Sequence, residues 1–217
     1  MADTGEVVPG GAPDVRELPG LVITKLSVGP MDNNAYLLED TGTGELVLVD
    51  AANEADRLLA LLDGRPLARV VTTHRHGDHW QGLAEVVAAT GARTYAGRDD
   101  VEGIPVATDE PLDDGDTVPV GGAQLRVITL VGHTPGSVAL VYADPAGHSH
   151  LFTGDSLFPG GVGKTAGPAE FTSLLDDVEN KLFGQLPDDT WFYPGHGKDS
   201  TLGAERSGLG EWRARGW

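Results

Sequence analysis

The chain contains no cysteine. Disulfides and thiolate ligands are therefore excluded, and any metal has to be held by imidazole and carboxylate, donors that suit zinc, iron(II) or manganese. Positive charge is scarce too. Lys and Arg together number 15 against 33 Asp and Glu, a formal net charge of −18. Such a surface repels phosphate backbones, and no cluster of basic residues offsets it, so nucleic acid is not expected as a partner. No stretch reaches the roughly 18 consecutive apolar residues that a membrane span requires. The opening residues "MADTGEVVPGGAPDVRELPG" have neither the basic n-region nor the apolar h-region of a secretory signal. The expectation is a cytoplasmic protein with a small-molecule substrate and no membrane partner; the oligomeric state leaves no mark in the sequence.

What the chain does have is length enough for a substantial core and a regular alternation of elements. Residues 1–20 are Gly-, Pro- and acid-rich without periodicity and read as a disordered leader; residues 21–217 read as a single domain. From Leu21, "LVITKLSV", "AYLLED" and "ELVLVD" are β-prone runs separated by the turn chemistry of "GPMDNN" and "TGTG", which predicts an antiparallel meander. "ADRLLALL" and "GLAEVVAAT" have helical periodicity, with the strand "RVVTT" between them. The second half repeats this grammar: strands "QLRVITLV", "VALVYAD" and "HLFTGD", a helix "AEFTSLLDDVENKLF", and a last strand "DTWFYP". Two blocks of strands, each followed by helix, predict two sheets packed face to face with helices outside.

Histidine is distributed very unevenly. Of seven in the chain, three fall with one aspartate in "THRHGDHW", as His74-x-His76-x-Asp78-His79. At this composition the pattern would arise by chance in about one such chain in a thousand. Three further strands end in the same manner, "RVITLVG" in His133, "HLFTG" in Asp155 and "WFYPG" in His196. If these ends share one edge, seven nitrogen and oxygen donors converge there. Gly132, Gly154, Gly195 and Gly197 would allow the backbone a close approach. His74 and His76 alternate along an extended segment and can grip one ion together, whereas Asp78 and His79 project differently and favour a second. Seven donors exceed the need of one tetrahedral ion and suit two ions with open positions. The plain alternative is a set of surface polar residues, with Asp78 as a helix N-cap.

These residues in this order resemble the metallo-β-lactamase superfamily, and the likeness runs from about Leu21 to Glu205. The resemblance implies an α/β fold, a four-layer αββα sandwich of two mixed sheets, with its metal site at one edge. It implies that His74, His76 and His133 hold one metal, that Asp78, His79 and His196 hold a second, and that Asp155 bridges them. A bridging carboxylate is found in thioester hydrolases of the glyoxalase II type, lactonases and persulfide dioxygenases, and is lacking in the true β-lactamases. "TGDSLFPGGVGKT" resembles glyoxalase II most, where a Gly-rich segment ends in a lysine that contacts the thiol part of the substrate; Lys164 stands there. "GVGKT" is not a nucleotide-binding loop, since Phe158 occupies the position that would have to be glycine. Long-form glyoxalase II enzymes have aromatic contacts where this chain has Ala166 and Lys198, and a further helical domain after the last histidine. The ending from His196 to Arg206 resembles the short bacterial glyoxalase II-like (hydroxyacylglutathione hydrolase) branch.

The expected chemistry is metal-dependent hydrolysis of an S-acyl thiol, such as S-D-lactoylglutathione or an analogue. A water bridging two divalent ions, zinc foremost and iron or manganese otherwise, loses its proton near neutral pH to give the bridging hydroxide. Asp78 helps organise this nucleophile, and Lys164 binds the carrier. A thiol of pKa about 8.5 leaves as thiolate without a strong general acid. The alternatives are a persulfide dioxygenase with one iron at His74, His133 and Asp155, a lactone hydrolase, and a metal-stabilised domain without catalysis. Asp50 is either a partner orienting a metal-bound histidine or a helix N-cap. His148 and His150 read as exposed residues of a hairpin turn.

Overall fold

The computed structural model describes residues 5–216. Among these, seven strands form the first sheet in chain order: β1 (Asp14–Leu18), β2 (Leu21–Val28), β3 (Asn33–Asp40), β4 (Leu46–Val49), β5 (Leu67–Thr72), β6 (Arg93–Gly97) and β7 (Glu110–Leu112). Strands β1 to β4 pair antiparallel, as the expected meander requires, and β4 to β7 pair parallel. The second sheet is built from β8 (Thr117–Val120), β9 (Ala123–Thr129), β10 (Val138–Ala143) and β11 (Ser149–Gly154), joined by β14 (Trp191–Pro194) and β15 (Ser200–Thr201). It is antiparallel except where β14 lies parallel to β11. A small hairpin of β12 (Leu157–Phe158) and β13 (Gly161–Val162) follows β11.

Inner strands such as β4, β10 and β11 are near-continuous apolar runs because they are buried on both faces. Between the sheets, Leu38, Val47 and Val49 meet Val127, Leu140 and Phe152. Tyr36, Phe152 and Tyr193 form an aromatic group there, Tyr36 edge-on to Phe152 at 5.3 Å between ring centroids. The outer face of the first sheet packs on α1 (Ala55–Leu62) through Leu58 and Leu62, and on α2 (Leu83–Thr90) through Leu83 and Val86. Those pairs are spaced by three and four residues, one face of a helix. The outer face of the second sheet packs on α3 (Pro168–Asp177) and, beyond the short α4 (Leu202–Glu205), on Trp212 of α5 (Leu209–Arg215). Helix, sheet, sheet, helix is the layering that the sequence resemblance implies. Burial of each leucine or phenylalanine in these layers contributes about 1.5–3 kcal/mol.

The reading of residues 1–20 as a leader outside the fold is corrected where the structure describes them. Residues 14–18 are the edge strand β1, and Val7 is buried. Main-chain pairing with β2 needs no apolar run, so the acid-rich composition concealed it. The carbonyl of Gly5 accepts a 2.7 Å hydrogen bond from the buried ammonium of Lys25, which also donates to Gly197 O at 2.8 Å and Asp199 Oδ1 at 2.6 Å. Met1–Thr4 of that leader lie outside the described residues. The helix expected over 169–183 is α-helical over Pro168–Asp177 and continues as a π-helical turn over Val178–Phe183, closed by a Gly184 N–H bond to Glu179 O.

Candidate metal centre

Four strands deliver the predicted donors to one edge of the sandwich. After β5 the chain passes through Thr73 into His74 and His76, and a 3₁₀ turn over Gly77–His79 presents Asp78 and His79. His133 lies in the turn from β9 to β10, Asp155 directly after β11, and His196 just after β14. All seven residues singled out in the sequence are brought together. Their donor atoms form three groups that could hold a metal ion: His74, His76 and His133; His74, His79 and Asp155; Asp78, His79 and His196. The carboxylate of Asp155 reaches several of them. Its Oδ1 lies 3.3 Å from His79 Nε2, and its Oδ2 lies 3.5 Å from His196 Nε2 and 3.7 Å from His133 Nε2.

The outward-facing nitrogens are engaged elsewhere, which determines what the inward ones present. His133 Nδ1 donates to the carbonyl of Lys164 at 2.6 Å, and His196 Nδ1 to the carbonyl of Met31 at 2.9 Å. A carbonyl can only accept, so each ring carries its proton on Nδ1 and turns a lone pair inward on Nε2. His79 Nδ1 donates to Asp50 Oδ2 at 2.8 Å. Thr73 Oγ1 gives its proton to the same carboxylate and offers its lone pair to His74 Nδ1 at 3.1 Å. His74 Nε2 and His133 Nε2 then face each other at 3.2 Å, and His76 Nδ1 stands 2.9 Å from His133 Nε2. The lone pairs of His74 and His133, opposed at 3.2 Å, repel unless a proton or a metal ion sits among them; His76 Nδ1–H can donate such a proton to His133 Nε2 or leave the place to a metal. Two further observations fit a metal: His79 Nε2 and Asp155 Oδ1 are buried without a hydrogen-bond partner among the described residues.

Electrostatics point the same way. Burial, reinforced by the neighbouring His79, holds the His74 pKa well below its ordinary value, so this imidazole stays neutral. Burial lowers His133 likewise. Burial would lower His79 too, but Asp50 and Asp155 outweigh it and push its pKa up to about 10. Against burial, the His196 and His79 rings that face it keep Asp155 well below the usual carboxylate range. The space between Asp155 and the Asp50-bound His79 thus demands positive charge, and a proton or a metal ion supplies it.

Asp50 orients His79 and does not cap a helix, since α1 begins after Glu54. It holds a left-handed φ of 58°, a conformation that aspartate tolerates better than most residues, and this turns its carboxylate back to Thr73 N–H at 2.7 Å. Asp78 is not an N-cap either; its Oδ2 accepts from Asn33 Nδ2 at 2.9 Å. Two glycines are required by the packing. A Cβ on Gly195 would meet Asp155 Oδ1 at 2.2 Å, and Gly154, at φ 48°, lies against Thr73. Lys164 is exposed and lines a cavity of about 390 Å³ with Gly163, Thr165, Phe171, Trp212 and Arg215; none of the seven donors lines it, and its link to them is the Lys164 carbonyl that holds His133. His148 is exposed as expected, but His150 is corrected: it is buried on β11, with Nδ1 3.0 Å from Tyr193 Oη. The inward phase of β11, shared with Phe152, decides its side.

Sequence reasoning missed the outer partners. Thr73 adjoins the motif and could have been found there, whereas Asn33 and the carbonyls of Met31 and Lys164 belong to turns with no chemical signature. Asp100 was missed as well. Buried under the site, it accepts from Arg75 N–H at 3.0 Å, Thr134 Oγ1 at 2.5 Å and Gly136 N–H at 2.9 Å, tying the first histidine turn to that of His133.

Comparison with known proteins agrees with this architecture. A sequence profile of the Metallo-beta-lactamase superfamily matches residues 28–196. A hydroxyacylglutathione hydrolase of Fuscovulum blasticum is 38% identical over 168 residues, which are 76% of this chain and 62% of that protein. The chain therefore spans less than two thirds of that relative's length. Among solved structures, TTHA1623 in a di-iron-bound form is 33% identical with a TM-score of 0.71, covering 84% of this chain and 96% of the other. ETHE1 from Myxococcus xanthus is 26% identical with a TM-score of 0.77, covering 88% and 84%.

Proposed function

Because this chain belongs to the metallo-β-lactamase superfamily, whose members imply divalent metal ions, we propose that it is a glyoxalase II-like thioesterase that hydrolyses an S-acyl thiol at a two-metal centre. The observation that carries the reading is the Asp155 carboxylate, one oxygen toward His79 and the other toward His133 and His196. His74, His76 and His133 would hold one ion and Asp78, His79 and His196 the other, with Asp155 shared. Zinc is the first choice for such imidazole and carboxylate donors, with iron and manganese next. Bound there, the ions would supply Lewis acidity, both for a water that loses its proton near neutral pH and for the acyl oxygen of the substrate.

The chain's own residues do the rest. Although burial opposes it, the Asn33 hydrogen bond and His79 keep the Asp78 pKa below the ordinary carboxylate value. Asp78 is thus an acceptor that can orient a water's proton. The leaving thiolate needs no strong general acid, and no Tyr or Glu is among the clustered donors. Lys164 and Arg215, with Phe171 and Trp212 between them, make the adjoining cavity a receptacle for an anionic carrier of the thiol. The hydroxyacylglutathione hydrolase relative supports an S-acyl glutathione or a similar thiol, over the persulfide and lactone alternatives.

Metal analysis combined with turnover tests this reading. Two equivalents of metal per chain and release of thiol from S-D-lactoylglutathione are expected. A reproducible single equivalent of iron with oxygen-dependent persulfide turnover would overturn it. Asp155→Ala should lose metal and turnover while keeping the circular dichroism of the fold, since the donors sit on strand ends; full activity in that variant would remove Asp155 from the centre.

A further inference from the structure

The turn between β2 and β3 does more than connect strands. It is shaped by Asp32 at a left-handed φ of 57°, whose carboxylate accepts from Ser27 Oγ at 2.5 Å. That shape directs two groups at the metal centre: the Met31 carbonyl, which holds His196 Nδ1, and the Asn33 side chain. Asn33 is 2% exposed. Its Nδ2 donates to Asp78 Oδ2 at 2.9 Å and stands 3.3 Å from His196 Nε2, and its backbone forms a bridge to that of His196. Next to it, Asn34 N–H donates to Gly195 O at 2.7 Å, and Asn34 Nδ2 donates to Pro194 O and Gly197 O at 2.9 and 3.0 Å. The turn therefore grips the His196 loop from both sides and reaches across it to the other chain segment that supplies the triad.

We propose that Asn33 is the positioning residue of the second triad, fixing the carboxylate of Asp78 relative to His196 so that these two and His79 can hold one ion together. The inference rests on the two-metal reading above. An Asp side chain has two torsions and is not covalently tied to the His196 loop, so without a donor its carboxylate has several orientations available. The amide removes that freedom on one oxygen. No comparable contact links Asn33 to His74, His76 or His133 among the described residues. The effect should therefore be confined to one of two ions, which a general loss of stability would not produce.

Asn33→Leu keeps the branched outline and the number of heavy atoms and removes the donor; Asn33→Ala serves as a second variant if the bulkier leucine does not fold. Stepwise zinc affinities are measured by competition with a chromophoric chelator, and cobalt(II) absorption reports the geometry of each ion. The expected result is that one equivalent is weakened about ten- to a hundredfold, the usual loss when a ligand's hydrogen-bond partner is removed. The other equivalent and its cobalt spectrum stay at their wild-type values, and the metal-free protein keeps its melting temperature. Two equivalents with unchanged affinities, or both weakened alike, would overturn the proposal, as would a drop in melting temperature of the metal-free form. Thioester turnover is not a readout, so failure of that substrate leaves the inference standing; a wild-type chain that binds one equivalent removes both the two-metal reading and the role of Asn33.

Discussion

Lys164 has its backbone and its side chain in different roles. Its carbonyl fixes the His133 ring while its ammonium borders the cavity beside the site. If the ammonium binds the carrier, it does so equally in ground and transition states, so Lys164→Ala should raise KM and leave kcat nearly unchanged. One charge-assisted contact is worth about 1.5–3 kcal/mol, a loss of roughly ten- to a hundredfold in kcat/KM. A small thioester without the carrier should be hydrolysed equally by both proteins, and equal losses on both substrates would return Lys164 to the solvent. Asp199 makes a different prediction. Burial outweighs its Lys25 partner and pushes its pKa up to about 6 from the ordinary 3.8. The folded state then holds the proton more tightly than the unfolded one, so this stabilising contribution is complete below about pH 4 and lost as pH rises through about 6. Relative to Asp199→Asn, wild type should lose up to ~3 kcal/mol across that window in urea unfolding; a flat difference would sink the assignment. At this scale the seven donors were legible because their residue types and spacing are chemically unusual. Asn33 and Asp100 were not, because amides and carboxylates are common in turns and only folding gives these two their partners.

At the scale of elements, the strands and helices were legible wherever burial on two faces or one helical face left a periodic mark. Strands β6, β7 and β8 escaped notice, being short and, in β6, broken into no apolar run by Arg93, Thr94 and Gly97, as did β1, which is held by main-chain pairing with β2 and by the packing of Arg16 and Leu18. The sharing of one edge by four strand ends could be expected from repetition of the pattern. The devices holding those ends together come from elsewhere in the chain. Asp100 is the clearest case, since it follows β6 and secures two histidine turns. Asp100→Ala leaves the buried Gly136 N–H and the part-buried Arg75 N–H without their acceptor and turns the Thr134 hydroxyl over to Ser137 Oγ, which should cost on the order of 1–3 kcal/mol. It should also loosen His133 relative to His74, so that metal dissociates faster on chelation. Wild-type release rates in that variant would show that the turns are held by other means.

At the scale of the whole molecule, the net charge of −18 adds to the local charge of Asp78, Asp155 and Asp50 at the metal-free edge, and binding of cations should relieve it. Chelation should lower the melting temperature by several degrees, since one site filled at a hundred times its Kd contributes about 2.7 kcal/mol. Readdition of zinc should restore it; an unchanged melting temperature would count against any bound metal. The gain should also grow less steeply at high zinc. Four of the seven donors lie within residues 74–79, so the unfolded chain would keep His74, His76, Asp78 and His79 within reach of one another and act as a modest chelator of its own. Once free zinc exceeds the affinity of that segment, one ion binds both states alike and only the second still favours the fold, so the melting temperature rises about half as steeply with the logarithm of zinc concentration. An eleven-residue peptide covering residues 72–82 would reveal the concentration of that bend directly. The same local grip would let a chain still emerging from the ribosome retain an ion before His133, Asp155 and His196 have been synthesised to complete its coordination.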